Sequence, residues 1–180
     1  MENNPLVSVI VVTYNSSEFI CEALDSVYRQ TYDNLELIVS DDCSSDDTII
    51  KVKSWIEKYG KRFSKSTVIE SATNTGTSAN NNRAIKACEG MLIRWVAGDD
   101  LIPEKAIEQQ VGYLLEKPEC YLLNGFSKTF KVENAVKVFT PNKKIIDIEP
   151  GFYDMSAGEQ YKYMLTHDKF GLTEGTMVRR

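Results

Sequence analysis

One repeated pattern constrains this chain more than any other: a short, almost continuously apolar run, a polar break, then a stretch with apolar residues at helical spacing. The runs are "LVSVIVV" (6–12), "LELIVS" (35–40), "STVIES" (66–71) and "MLIRWVA" (91–97). Short β-branched runs of this kind suit strands covered on both faces, as in a parallel sheet. The segments between them read as the helices that carry the chain back. Ile20, Ala23, Leu24, Val27 and Tyr28 mark a helix from about 17 to 30, and Ile49, Val52, Ile56 and Tyr59 mark a second ending near Gly60.

Ser44 stands three positions before Asp47 as a capping box for that second helix. A third helix is expected from about Ser78 to Cys88, with Gly90 at its end. A fourth opens with Pro103 in its first turn and carries Ile107, Val111, Leu114 and Leu115 before Pro118. "CYLLNG" offers a fifth strand, and "FSKTFKV" with "AVKVFT" reads as a hairpin or edge pair around Glu133 and Asn134. Residues 141–155 read as a loop and 156–166 as a short helix. The alternation predicts an α/β domain, and 180 residues with 42% apolar side chains suffice for one substantial core. No internal repeat or boundary divides it, so a single domain over 1–180 is expected.

A net charge of -5 argues against general affinity for nucleic acid, and an anionic ligand would need help from a cation. Cys21, Cys43, Cys88 and Cys120 stand far apart and His167 is the single histidine, so neither a zinc site nor a disulfide framework has its required spacing. Reduced thiols fit a cytoplasmic location. The apolar run near the N-terminus is too short to span a bilayer and follows an acidic flank, so it reads as a buried strand.

Polar clusters fall where the strands end. Thr13, Tyr14 and Asn15 follow the first, Asp41 and Asp42 the second, Asn74, Thr75 and Gly76 the third, and Gly98, Asp99 and Asp100 the fourth. Ligands of open α/β sheets bind beyond the carboxyl ends of the strands, where helix N-termini converge. Any one Asp or Asn there could simply cap a helix or make a turn, and Asp46 and Asp47 are assigned to capping. Four clusters on one edge, including two Asp-Asp pairs with no adjacent Lys or Arg, point instead to a ligand. No glycine-rich phosphate loop of either common pattern is present. A carboxylate pair suits a hard divalent cation, Mg or Mn, bridging protein oxygens to a diphosphate. Tyr14 could face a base, with Asp42 accepting from a ring N–H.

"VSVIVVTYNSSEFICEALDSVYRQTYDNLELIVSDDCSSDDT" followed by "NTGTSANNNRAIKACEGMLIRWVAGDD" resembles the N-terminal nucleotide-binding part of family 2 glycosyltransferases, over about residues 6–117, and "VRR" near the end is also familial. The resemblance implies the GT-A fold, a Rossmann-like three-layer α/β/α arrangement with a mostly parallel central sheet. It implies an inverting transfer from a nucleotide diphosphate sugar, a UDP-sugar being favoured, to a saccharide or glycolipid acceptor in polysaccharide or glycoconjugate synthesis. Thr13, Tyr14, Asn15, Asp41, Asp42, Asn82 and Asp99 would then bind the nucleotide sugar. Asp100, with Asp99, would hold the Mg or Mn ion. Residues 118–180 would begin the acceptor side, and the expected location extends to the inner face of the membrane.

This chain departs from the family pattern in two places. Ala97 stands where many members carry a further Asp, and Asn81 where many carry Arg. Inverting transfer also needs a general base for the acceptor hydroxyl. Relatives place that carboxylate some distance after the "RR" segment, so it is expected beyond Arg180 in a longer parent, with Glu174 a weak substitute. A phosphoacceptor signalling domain would want its acidic pair after the first strand, and a sugar-phosphate nucleotidyltransferase a glycine-rich basic loop there; this chain has "TYN". A carbohydrate- or nucleotide-binding module without turnover is the non-enzymatic alternative.

Overall fold

The structure, a computed structural model, describes residues 4–125, 130–133, 136–139, 155, 156, 159, 162 and 175–180. The chain divides into two compact units, Met1–Asn124 with Glu174–Arg180, and Gly125–Thr173. In the first unit the four apolar runs are strands β1 (Val7–Thr13), β2 (Leu35–Asp41), β3 (Ser66–Glu70) and β4 (Leu92–Ala97). Helices α1 (Ile20–Tyr28), α2 (Thr48–Tyr59) and α3 (Thr77–Ala87) connect them, and α4 (Ala106–Glu116) follows β4. Two short strands, β5 (Leu122–Asn124) and β8 (Thr176–Arg179), complete a six-stranded sheet in the order β3-β2-β1-β4-β8-β5.

β1 to β4 are mutually parallel, with β1 central and in register from Val7 opposite Leu35 to Thr13 opposite Asp41. β8 runs antiparallel between β4 and β5. The sequence suggested no strand at 176–179, and β5 is therefore not a direct neighbour of β4. Four residues are too few to display a period, and their pairing joins positions more than fifty residues apart in the chain.

Alternation along the strands builds the layers. Val7, Val9 and Val11 of β1 and Leu35, Leu37 and Val39 of β2 pack against Ile20, Leu24, Val52, Trp55, Ile107 and Leu114, so α1, α2 and α4 cover one face. Ile10, Ile38 and Ile93 point the other way, onto Ala84 and Cys88 at α3. All seven residues of β2 are buried, which is why its run reads as continuous rather than alternating. Burying a Val, Leu or Ile side chain stabilises by about 1.5–3 kcal/mol, so these two clusters carry most of the unit's stability.

Two local expectations are corrected. Pro103 precedes α4 by three residues instead of standing in its first turn; its carbonyl accepts from Ala106 N at 2.9 Å and Gln30 Nε2 at 2.8 Å. Ser44 and Asp47 form no capping box. Asp47 is the N-cap of α2 without a side-chain hydrogen bond, and Ser44 donates to Asp41 instead.

In the second unit, β6 (Phe130–Glu133) and β7 (Val136–Phe139) make the expected antiparallel hairpin. The expected loop at 141–155 and helix at 156–166 lie almost wholly outside the described residues, as does Glu174. No helix among the described residues is long and apolar enough to cross a membrane.

Candidate functional site

Beyond the carboxyl ends of the parallel strands lies a hollow of about 300 Å³. Val12, Thr13, Tyr14 and Ser16 contribute from β1 and its following loop, Asp42 from the end of β2, and Ala97, Gly98 and Asp99 from the end of β4. Asn74, Gly76, Thr77 and Asn80 close it from the start of α3. The backbone holds these loops together: Asp42 N donates to Thr13 O at 3.0 Å and Gly98 N to Val12 O at 2.9 Å. Tyr14 is half exposed, leaving a ring free to meet a planar ligand, whereas Thr13 is buried and its Oγ1 has no hydrogen-bond partner among the described residues.

Asp42 is almost wholly buried and heavily bonded. Its Oδ1 accepts from Thr75 Oγ1 at 2.7 Å and Arg83 Nη2 at 2.5 Å; its Oδ2 accepts from Thr75 N at 3.0 Å and Gly76 N at 2.6 Å. Burial pushes this carboxyl up. The Thr75 hydroxyl, the Arg83 guanidinium and the two backbone N–H groups together outweigh it and hold the carboxyl at about 2. The sequence suggested an Asp pair without a basic partner, but α3 supplies one. Arg83 lies 41 residues from Asp42 in sequence, a separation that no search among adjacent residues would bridge.

Asn80 is the second residue the sequence reading missed. Buried one helical turn before Ala84, its Nδ2 donates to Ser40 O at 3.0 Å and Thr13 O at 3.3 Å, and its Oδ1 accepts from Ser40 Oγ at 2.6 Å. It ties β1, β2 and α3 together beneath the hollow. The signal was present: Asn80, Ala84 and Cys88 share one helical stripe, and a polar residue on an apolar stripe needs partners.

Asn15 and Asp41 do not line the hollow; they stitch its loops. Asn15 has a left-handed φ of 50°, its N donates to Ser44 Oγ at 2.8 Å, and its Oδ1 accepts from Ser45 N at 2.8 Å. Asp41 accepts from Ser44 N at 2.8 Å. Asp46 accepts from Thr48 N at 3.0 Å at the start of α2, as a capping residue would, and also from Ser17 N at 3.1 Å in the β1 loop. The Thr48 hydroxyl foremost, against burial, and then Ser17 and the backbone hold its carboxyl well below the usual range. Asn82 is exposed on α3 and is not among the residues lining the hollow.

Asp99 is exposed and lines the hollow, whereas Asp100 is half buried and is not among the lining residues. Burial lowers Arg94 of β4 to about 10, while the nearby Asp100 charge opposes the shift, so this carboxylate also has a cation in its surroundings. Among the described residues no group of three or more His, Cys, Asp or Glu side chains converges. Of the Asp99–Asp100 pair, only Asp99 is among the residues lining the hollow.

Residues 8–168 match the family model described as Glycosyl transferase family 2.

The chain belongs to this glycosyltransferase family.

A glycosyltransferase of Haemophilus influenzae is 28% identical over 162 residues, 90% of this chain and 61% of that protein. The poly(ribitol-phosphate) beta-N-acetylglucosaminyltransferase TarS of Staphylococcus aureus is 30% identical over 172 residues, 89% of this chain and 28% of TarS. The chain thus spans less than two thirds of these relatives' lengths. Its architecture is similar to TarS 1-349 in complex with UDP-GlcNAc, at TM-score 0.68 and 25% identity, covering 97% of this chain and 45% of that one. The mannosyltransferase PcManGT from Pyrobaculum calidifontis, in complex with GDP-Man and Mn2+, gives TM-score 0.63 and 30% identity over 68% of this chain and 36% of that one. The fold of this glycosyltransferase family member is accordingly GT-A, a mixed α/β arrangement around a mostly parallel sheet.

Proposed function

We propose that the hollow binds a nucleotide diphosphate sugar, and that the chain is the donor-binding part of an inverting transferase acting on a saccharide or glycolipid acceptor. The observation that carries this is the placement of α3. Its N-terminus lines the hollow through Gly76 and Thr77 without a side-chain cap, and Asp99 lines the same hollow. Free N–H groups at a helix start favour an anion, and so would draw a diphosphate to that side. Tyr14, half exposed at the hollow, would face the base, and Asp42 stands beside the start of α3, where it accepts from Gly76 N.

The donor set near Asp99 and Asp100 fits Mg or Mn, which take one or two carboxylates and complete their shell with phosphate oxygens and water. These two residues would hold the ion, which when bound neutralises charge on the diphosphate. In the transfer the acceptor oxygen forms its bond to the anomeric carbon as the bond from that carbon to the diphosphate oxygen breaks. A carboxylate base takes the acceptor's proton and the nucleotide diphosphate leaves. Thr13 Oγ1, buried at the hollow without a partner among the described residues, is a polar group that a bound ligand would satisfy.

The relatives support a UDP-sugar or GDP-sugar donor, since TarS is described with UDP-GlcNAc and PcManGT with GDP-Man. They also support a role in polysaccharide synthesis, TarS acting on poly(ribitol-phosphate). A thermal-shift series of UDP, GDP and ADP, each with and without Mn, tests the reading, because a ligand that binds only the native state raises its apparent stability. A Mn-dependent rise with at least one nucleotide is expected. No rise with any of them would remove the hollow from consideration as a donor site.

A further inference from the structure

The peptide groups on both sides of Tyr14 are bonded to one and the same segment, the turn that follows β2. The carbonyl before it, Thr13 O, accepts from Asp42 N at 3.0 Å, and the amide after it, Asn15 N, donates to Ser44 Oγ at 2.8 Å. Asn15 adds a second bond, its Oδ1 accepting from Ser45 N at 2.8 Å. Ser44 is itself fixed, since its N and Oγ donate to the two carboxylate oxygens of Asp41, the last residue of β2, at 2.8 and 2.5 Å. Two further rungs continue the seam: Ser16 N donates to Thr48 Oγ1 at 2.8 Å and Ser17 N to Asp46 Oδ2 at 3.1 Å. The path requires a left-handed residue at position 15, where φ is 50°, and Asn adopts that conformation more readily than most side-chain-bearing residues. The turn after β2 is thus a template for the turn after β1.

Neither Asn15 nor Ser44 lines the hollow, whereas Tyr14 does and is half exposed there. With both flanking peptides held, the freedom left to Tyr14 is chiefly that of its side-chain torsions, and a ring ordered in advance loses less freedom when a planar ligand meets it. Resting on the reading of the hollow as a nucleotide site, we propose that Asn15 and Ser44 are positioning residues for Tyr14, forming a clamp that presets its ring for the nucleotide base. The clamp acts through the ring, so its loss matters to binding only while the ring is there. A merely structural Asn15 would weaken binding by the same factor whether or not position 14 carries an aromatic side chain.

The test is a double-mutant cycle in nucleotide affinity. Calorimetric titrations in the presence of Mn, with the tightest-binding of UDP, GDP and ADP, are run on the chain, Asn15→Ala, Tyr14→Ala and the Asn15→Ala/Tyr14→Ala double variant. Each is measured well below its own melting temperature, so that lost global stability alone leaves the Kd unmoved. Tyr14→Ala is expected to weaken binding roughly 5- to 100-fold, the usual worth of one base stacked on an aromatic side chain. Asn15→Ala should lose part of that, roughly 3- to 10-fold, and add less than about 2-fold once the ring is gone. Asn15→Gly keeps the left-handed turn and the bond to Ser44 but not the acceptor for Ser45, so its affinity should fall between those of the unaltered chain and Asn15→Ala. Should Asn15→Ala fail to fold, Ser44→Ala removes the acceptor for Asn15 N from the other side and enters the same cycle with the same expectation. Losses that multiply in the double variant overturn the proposal, as does an Asn15→Ala chain that binds like the unaltered one. Undiminished binding by Tyr14→Ala leaves no ring contact to preset, and sinks the inference while the donor site stands. If the unaltered chain binds none of the nucleotides, the donor-site reading falls and this inference with it.

Discussion

Gly98 passes so close to Thr13 that a methyl group on it would fall 2.7 Å from Thr13 Oγ1 and 2.9 Å from Thr13 Cβ. Thr13 is the last residue of the central strand and is paired to Asp41 on one side, so it cannot give way. The loop carrying Asp99 would have to move instead. Gly98→Ala is therefore expected to cost about 1–3 kcal/mol, the usual range for overpacking, and to weaken nucleotide binding by shifting Asp99. Chemical denaturation and titration of the same variant check both effects. Native stability together with native affinity would mean that the loop relaxes freely.

The acid limb of the stability curve should carry the signature of Asp42. Its folded carboxyl lies at about 2, below the ordinary value of 3.8. A depressed carboxyl stabilises the native state above its unfolded value, and that contribution fades as pH falls through the folded one. The stability advantage of the chain over Asp42→Asn should be full at pH 5, shrink below about 4 and be nearly gone near 2. Denaturant titrations from pH 5 to 2 measure it. A gap that is independent of pH would assign the cost of the Asn variant to shape and not to charge.

Periodicity alone exposed the sheet-and-helix frame, because β1, β2 and β4 are buried on both faces and α1, α2 and α4 keep one apolar stripe each. β8 escaped because an antiparallel slot between β4 and β5 is a nonlocal fact, and four residues of "TMVR" carry no period. At the site, Thr13, Tyr14, Asp42 and Asp99 were legible from their places at strand ends, and all four line the hollow. Asn15 and Asp41 were legible as a polar cluster, yet their side chains are used to bind one loop to the next. Arg83 was not legible as a partner, since only the packing of α3 across the sheet brings it to Asp42. The missing cation of that Asp pair was an arginine inside the chain.

Glu36 provides a control at the far end of the same strand. Its buried carboxylate accepts from Ser8 Oγ at 2.5 Å, Glu89 N at 2.6 Å and Gly90 N at 2.9 Å, holding the turn between α3 and β4. Six residues of extended strand separate it from Asp42, about 20 Å. Glu36→Ala leaves the part-buried Glu89 N–H without this partner while Gly90 N keeps Ser8 Oγ at 2.9 Å, so the cost is roughly 1–3 kcal/mol. A lower melting temperature with unchanged nucleotide affinity of the folded protein is expected, and calorimetry gives both. A selective loss of affinity would mean that the two ends of β2 are coupled.

Asp99 and Asp100 stand side by side but should fail differently. Asp99 is exposed at the hollow, whereas Asp100 is half buried and its charge is felt by Arg94, a residue only 3% exposed. If both carboxylates hold the cation, Ala at either position lowers the Mn-dependent part of nucleotide binding. Only Asp100→Ala also withdraws a nearby negative charge from a buried cation, a change expected to destabilise by on the order of 1 kcal/mol or more. Asp99→Ala should melt close to the unaltered chain, because an exposed loop carboxylate has little to lose. Melting curves without ligand, and nucleotide titrations with and without Mn, separate the two roles. An Asp100→Ala chain that loses stability but keeps its full Mn dependence would make Asp100 a structural counter-charge for Arg94, and would leave the cation to Asp99.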